Sequence, residues 1–133
     1  MTPGESASAT AWVFAAHTGH AYIRLSGVGW RIMLVVHATF PIDPDRRDEA
    51  VDHMQTLAEQ SRTEDGVIDY RIAADVDDET RFRFVEQYDD EAAFGAHADS
   101  DHFAAFAAVL PGLLAGEHAV TRFDVEATTD VER

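Results

Sequence analysis

Two runs of strict alternation, residues 67–74 and 81–88, limit the fold of this chain more than any other feature. In the first, Ile68, Tyr70 and Ile72 fall on one side and Asp69 and Arg71 on the other; in the second, Phe82, Phe84, Glu86 and Tyr88 share a side. Successive side chains of a strand point to opposite faces, so each run predicts a half-buried strand. The acidic stretch 75–79 between them predicts a turn, across which the two strands pair antiparallel. A sheet built on such strands has an apolar face to bury, and the rest of the chain must cover it.

Upstream, residues 33–40 (MLVVHATF) are apolar and β-branched and end at Pro41, which reads as a buried strand. Asp43-Pro44 is an N-cap followed by proline at the first helical position. Ala50, Val51, Met54, Leu57, Ala58 and Ser61 then recur at helical spacing. An amphipathic helix is expected up to Glu64-Asp65-Gly66, with Gly66 as a left-handed cap and His53 on the polar side. Downstream, Asp89-Asp90 opens an alanine-rich helix carrying Ala93, Phe94, His97 and His102-Phe103. Ser100 is a candidate N-cap for a second helical piece with His102 in its first turn, and the apolar run is expected to break at Pro111-Gly112 and Gly116. Residues 118–127 supply a last strand, and 128–133 a polar tail. The order from Met33 is β-α-β-β-α-β, an α+β ferredoxin-like antiparallel sheet with helices on one face. Its other face is left uncovered and calls for a partner.

Charge divides the chain. Residues 1–32 hold only Glu5, Arg24 and Arg31, a net of +1, while the whole chain carries −15, which leaves −16 on residues 33–133. The domain is therefore placed at 33–127. For residues 1–32 two readings are open, an upstream addition with Met33 as the true start, or an arm or extra strand; the first is the expectation. All ten basic residues are Arg. So acidic a field repels DNA, RNA and anionic lipid, and no run approaches the roughly eighteen apolar residues of a membrane span. A salt-adapted cytoplasmic protein is expected, because molar salt shortens the Debye length to about 3 Å and relieves self-repulsion.

The absence of Cys removes thiolate catalysis and Cys-based zinc sites. There is no GxGxxG or P-loop glycine pattern, no Lys for a Schiff base or a phosphate, and no GxSxG turn. His97, Asp99, Asp101 and His102 cluster in sequence. On a continuous helix, however, residues five apart stand about 140° apart around the axis, whereas helical ligands of one metal sit three or four apart on one face. No metal is expected. What remains is acid–base chemistry on a small organic molecule in an apolar pocket.

One group of residues carries a wider likeness. Glu86 two before Tyr88 at a strand end, then Asp90, Glu91, Ala92, Ala93, Phe94, His97, Ser100, His102 and Phe103, with Glu64-Asp65-Gly66 and Tyr70 upstream, resemble the signature of the antibiotic biosynthesis monooxygenase family and its quinol monooxygenases. The likeness spans about residues 33–127. It implies a homodimeric α+β barrel in which two sheets cover each other's open faces. It also implies oxidation of a small quinol or phenolic compound by molecular oxygen, with no cofactor. Removing a phenolic proton leaves an anion that can pass an electron to oxygen, so the site needs a base, an apolar cavity and hydrogen-bond donors. His97 is then the first choice as base or donor, since imidazoles titrate near neutrality; the alternative is a core histidine bonded to Glu86 or to a backbone carbonyl. Glu86 either orients His97 or acts as a base, or else makes a structural bond to an Arg or a helix end. Tyr70 and Tyr88 donate to a substrate oxygen or simply pack. His37, beside Val35 and Thr39, reaches the same pocket or is an ordinary buried histidine, and His102 and Phe103 stand at its rim. Two other functions stay open: isomerisation of a small carbonyl metabolite by the same base, and a non-catalytic dimeric ligand-binding module. Heme degradation is not expected, because the heme-degrading relatives call for an Asn on the first strand and a Trp where this chain has His97, and it contains no Asn.

Overall fold

The computed structural model describes residues 33–132, so the expectations for 1–32 lie outside the described residues. The chain forms β1 (Met33–Pro41), a 3-10 turn (Pro44–Arg46), α1 (Arg47–Ser61), β2 (Val67–Asp75), β3 (Asp78–Tyr88), α2 (Glu91–Ala98), α3 (Asp101–Leu113) and β4 (Ala119–Val125). The four strands make one antiparallel sheet in the order β2-β3-β1-β4, the expected α+β ferredoxin-like fold. Even-numbered residues of β1 and β3 (Ala38, Phe40, Phe82, Phe84) face the helices and pack with Met54 and Leu57 of α1 and Phe106, Leu110 and Leu113 of α3. The odd-numbered residues form the uncovered face, where Phe123 pairs with Val35 and is 44% exposed.

The register of β2 against β3 shifts twice, at Ala74/Asp75 beside the hairpin turn and at Val67/Asp69. Val67 pairs with Tyr88 but Asp69 pairs with Gln87, so Ile68 is an extra residue in a β-bulge. Parity slips by one at that point, which leaves Ile68 49% exposed while Tyr70, opposite Glu86, is buried. Ile68 therefore does not share the core side with Tyr70.

Asp43 accepts a hydrogen bond from Asp45 N–H at 2.9 Å, but it caps the 3-10 turn that leads into α1. At the other end α1 stops at Ser61 with Arg62 in the right-handed region, and Gly66 is not left-handed. Its lack of a side chain serves packing instead: a Cβ at Gly66 would lie 2.3 Å from Cβ of Ala93 in α2. Pro111 does not end α3, which runs on to Leu113. Leu110 and Leu113 are fully buried there, each contributing about 1.5–3 kcal/mol. The end carbonyls are also met, Gly112 O by Arg46 Nη1 at 3.1 Å and Leu113 O by Asp43 N–H at 2.8 Å. No helix among the described residues is long and apolar enough to cross a membrane.

Candidate functional site

The segment from α2 to α3 is two helices. Ser100 is extended (φ −75°, ψ 155°), its hydroxyl accepts from Phe103 N–H at 3.2 Å, and the same hydroxyl donates to the His97 carbonyl at 2.7 Å. This is the N-cap expected at Ser100, and it has a consequence that helical spacing hides. Because the axis is broken at Asp99-Ser100, the five-residue separation no longer splays the two imidazoles. His97 Nδ1 lies 3.0 Å, and His102 Nε2 2.5 Å, from the same carboxylate oxygen, Oε2 of Glu64. His97 and His102, which a continuous helix would hold apart, therefore converge, and with Glu64 their donor atoms lie within 4.8 Å of one another.

Glu64 comes from the turn between α1 and β2, so three segments meet at its oxygen. Burial pushes its carboxyl up, yet the hydrogen bonds from His97 and His102, with their charge, outweigh that and hold it below the usual carboxylate range. An ionised carboxylate only accepts, so His97 presents Nδ1–H to it. In the neutral ring Nε2 then keeps its lone pair. His97 is 2% exposed, and that Nε2 is buried without a hydrogen-bond partner.

His97 lines a cavity of about 20 Å³ between α2, α3 and the sheet, whose other walls include Val36, Tyr70, Phe84, Glu86, Phe94 and Phe103. That is space for about one water-sized molecule, in a wall that is otherwise almost wholly apolar. Glu86, 6% exposed, accepts from the Tyr88 hydroxyl at 2.5 Å. Burial pushes its carboxyl up, against the opposing pull of His97, Tyr88 and Tyr70. Both tyrosines are in turn pushed well above the usual phenol range, chiefly by burial and then by the Glu86 charge.

Among the residues singled out from the sequence, His97, Glu86, Tyr70 and Phe103 line this cavity. Tyr88 stands behind them with its ring 5.6 Å from that of His97, and His102 lies toward the surface, with its side chain 17% exposed. Glu86 bonds to Tyr88, and His97 Nδ1 bonds to Glu64, which is neither of the partners left open for His97 (Glu86 or a backbone carbonyl) and not among the candidate site residues. The only signal for Glu64 was its place before Asp65-Gly66. His37 does not reach the cavity: β1 alternates, Val36 and Ala38 face inward, and His37 is exposed on the open face against Phe123, ring centroids 5.1 Å apart. A second groove of about 480 Å³ runs between α1 and β2, but every polar side chain lining it (Gln55, Glu59, Arg62, Arg71) is exposed.

An antiparallel sheet in βαββαβ order, with a buried histidine lining a largely apolar cavity, defines a small ferredoxin-like α+β domain. The chain belongs to the antibiotic biosynthesis monooxygenase family, whose pattern matches residues 33–109. It is similar to the putative monooxygenase YcnE of Bacillus subtilis, 32% identical over 93 residues that span 70% of this chain and 98% of that protein. Solved structures of the same fold include Rv0793 from Mycobacterium tuberculosis, 26% identical with a TM-score of 0.66 over 76% of this chain and 99% of that one. Another is PA3566 from Pseudomonas aeruginosa, 26% identical with a TM-score of 0.66 over 72% and 96%.

Proposed function

We propose that the protein oxidises a small quinol or phenol with molecular oxygen, using no cofactor, and that His97 removes the phenolic proton at Nε2. The observation that supports this most directly is the unpartnered, buried Nε2 beside an apolar cavity, on a ring whose other nitrogen is bound to Glu64. The carboxylate sets the tautomer and stabilises the cation that forms when the proton arrives. The substrate anion passes electrons to oxygen; one oxygen atom bonds to a ring carbon in place of its single hydrogen, and the other leaves as water with that hydrogen and one hydroxyl hydrogen, so that phenol plus oxygen gives quinone plus water. Tyr70 and Phe103 would flank the ring, and the cavity must widen from its present size to admit it. We further propose a homodimer in the cytoplasm, joined through the open sheet face that bears Phe123 and His37.

Oxygen uptake by metal-free protein across a panel of quinols tests the reading. Uptake that falls by about 10²–10⁴ in His97→Ala, the usual contribution of a general base, supports it. Wild-type uptake in that variant removes His97 from the role, and turnover without oxygen points instead to isomerisation.

A further inference from the structure

The convergence on Glu64 invites a second occupant. Three donors from three separate segments, two imidazole nitrogens and one carboxylate oxygen, lie within 4.8 Å of each other, and none has a side chain more than 17% exposed. Two imidazoles and a carboxylate are the donors that zinc-like transition metals prefer, and three protein ligands leave a position open. Around an ion with bonds of about 2.0–2.2 Å, such donors sit roughly 3–3.5 Å apart. Glu64 Oε2 is already 3.0 Å from His97 Nδ1 and 2.5 Å from His102 Nε2; to close round one ion the carboxylate draws back and the two imidazoles, whose donor atoms lie within 4.8 Å, swing toward each other. The Ser100 latch on the His97 carbonyl and the α3 cap hold the two histidine-bearing helices in that relation.

We propose that Glu64, His97 and His102 form a site for one divalent transition-metal ion of the zinc class, and that the ion, when bound, silences the base. The silencing rests on the reading of His97 as the base; the site does not. An ion takes the Nδ1 lone pair of His97, and the ring hydrogen then moves to Nε2. That nitrogen becomes a donor toward a cavity that Glu86 also lines, the carboxyl partner that a metal-bound histidine commonly finds for its far nitrogen. A donor there cannot accept a phenolic proton, so metal and substrate proton compete through the two ends of one ring.

The test is calorimetric titration of the metal-free full chain with zinc chloride. One ion per chain is expected, with affinity weakened at least about tenfold in His102→Ala and in Glu64→Gln. His53→Ala, which alters the surface pair with Glu49, leaves it unchanged. His102 lies at the surface end of the site, so its variant is expected to fold, with at most the loss of its bond to Glu64, and a folded His102→Ala with undiminished affinity overturns the site. Equal heats in all four proteins overturn it as well, since they assign the zinc to the acidic surface. Proton–nitrogen spectra of the ring nitrogens supply a second readout, in which zinc shifts His97 and His102 together. If zinc binds as described and oxygen uptake continues at saturation, the silencing fails. If metal-free protein takes up no oxygen with any quinol, the oxygenase reading fails while the metal site stands.

Discussion

Gly66 is where the position of α2, and so of His97, is set by a contact a single methyl group would break. In Gly66→Ala the new Cβ meets Ala93 Cβ at 2.3 Å and Ala93 Cα at 3.3 Å. Carbon atoms at rest stand about 3.5–4.0 Å apart, so the first contact is too short by more than an ångström and the second by a few tenths. Neither backbone yields easily. Ala93 N–H is held by the Asp90 side chain at 2.9 Å, and Gly66 O accepts from Asp89 N–H at 2.9 Å. Overpacking of this kind costs about 1–3 kcal/mol, and each kcal/mol lowers the melting temperature by about 4–8 °C in a domain of this size. Ala93→Gly alone loses about 0.5–1 kcal/mol of helix stability. The double variant exchanges the two methyl groups, removes the 2.3 Å clash and leaves only the 3.3 Å contact, so it is expected to be barely less stable than Ala93→Gly. The coupling energy should then favour the double variant by about 1–3 kcal/mol. Thermal or urea unfolding of the four proteins measures it. Additivity within about 0.5 kcal/mol would refute the claim that Gly66 is small because α2 sits on it.

Glu86→Gln should stabilise in a pH-dependent way. A carboxyl raised by burial binds its proton more tightly when folded, so its contribution is present below the ordinary carboxylate range and is lost as pH rises through the folded value; the melting-temperature gain of the variant should grow over that rise, and a pH-independent gain would contradict it. Ser100→Ala removes the cap of α3 and the latch on His97, for a loss of about 0.5–2 kcal/mol in unfolding experiments; Ser100→Thr, which keeps both bonds, should stay near wild type. Phe123→Asp puts a charge on the open sheet face and is expected to yield monomers by light scattering where wild type is dimeric; a wild-type monomer would defeat the proposed interface. With 25 acidic against 10 basic residues, unfolding midpoints should rise in molar KCl, and flat curves would argue against salt adaptation.

Periodicity made the sheet and α1 readable, because burial imposes it residue by residue: the alternation over Phe82, Phe84, Glu86 and Tyr88, and the repeat through Ala50, Met54, Leu57 and Ala58, are the buried sets observed. Ile68 escaped because a bulge is decided by pairing with β3 and leaves the apolar pattern of β2 intact. Pro111 misled for a related reason, since its local signal to stop was outweighed by the burial of Leu110 and Leu113 on either side. His97 was legible as a polar residue on an apolar helix. Glu64 was not: it lies in a turn without periodicity, it is one of 25 acidic residues, and its partners reach it only because Ser100 re-aims the chain between them. The cap at Ser100 could be read locally; that it brings two imidazoles onto one oxygen is a fact of three dimensions.

His97 stands between two carboxyl groups whose surroundings push them in opposite directions. Glu64 meets two imidazoles, which outweigh its burial and favour its charge. Glu86 lies deeper, and its hydrogen-bonding neighbours are tyrosine hydroxyls, neutral groups whose own ionisation burial suppresses, so there burial wins. Such a divergence separates the roles of two otherwise identical groups. On the proposed reading, a proton arriving at Nε2 creates a cation whose compensating charge is already in place at Nδ1, and the ring need not move to find it. Were Glu86 the base, its ionised form would have to be held in the apolar cavity before substrate arrived, supported by two phenols and the field of His97. The neutral form of Glu86 serves better as a donor near the substrate oxygen, where negative charge develops as His97 takes the proton. The direction of proton flow follows from this asymmetry: out of the cavity through His97, with the charge balanced on the helix side by Glu64.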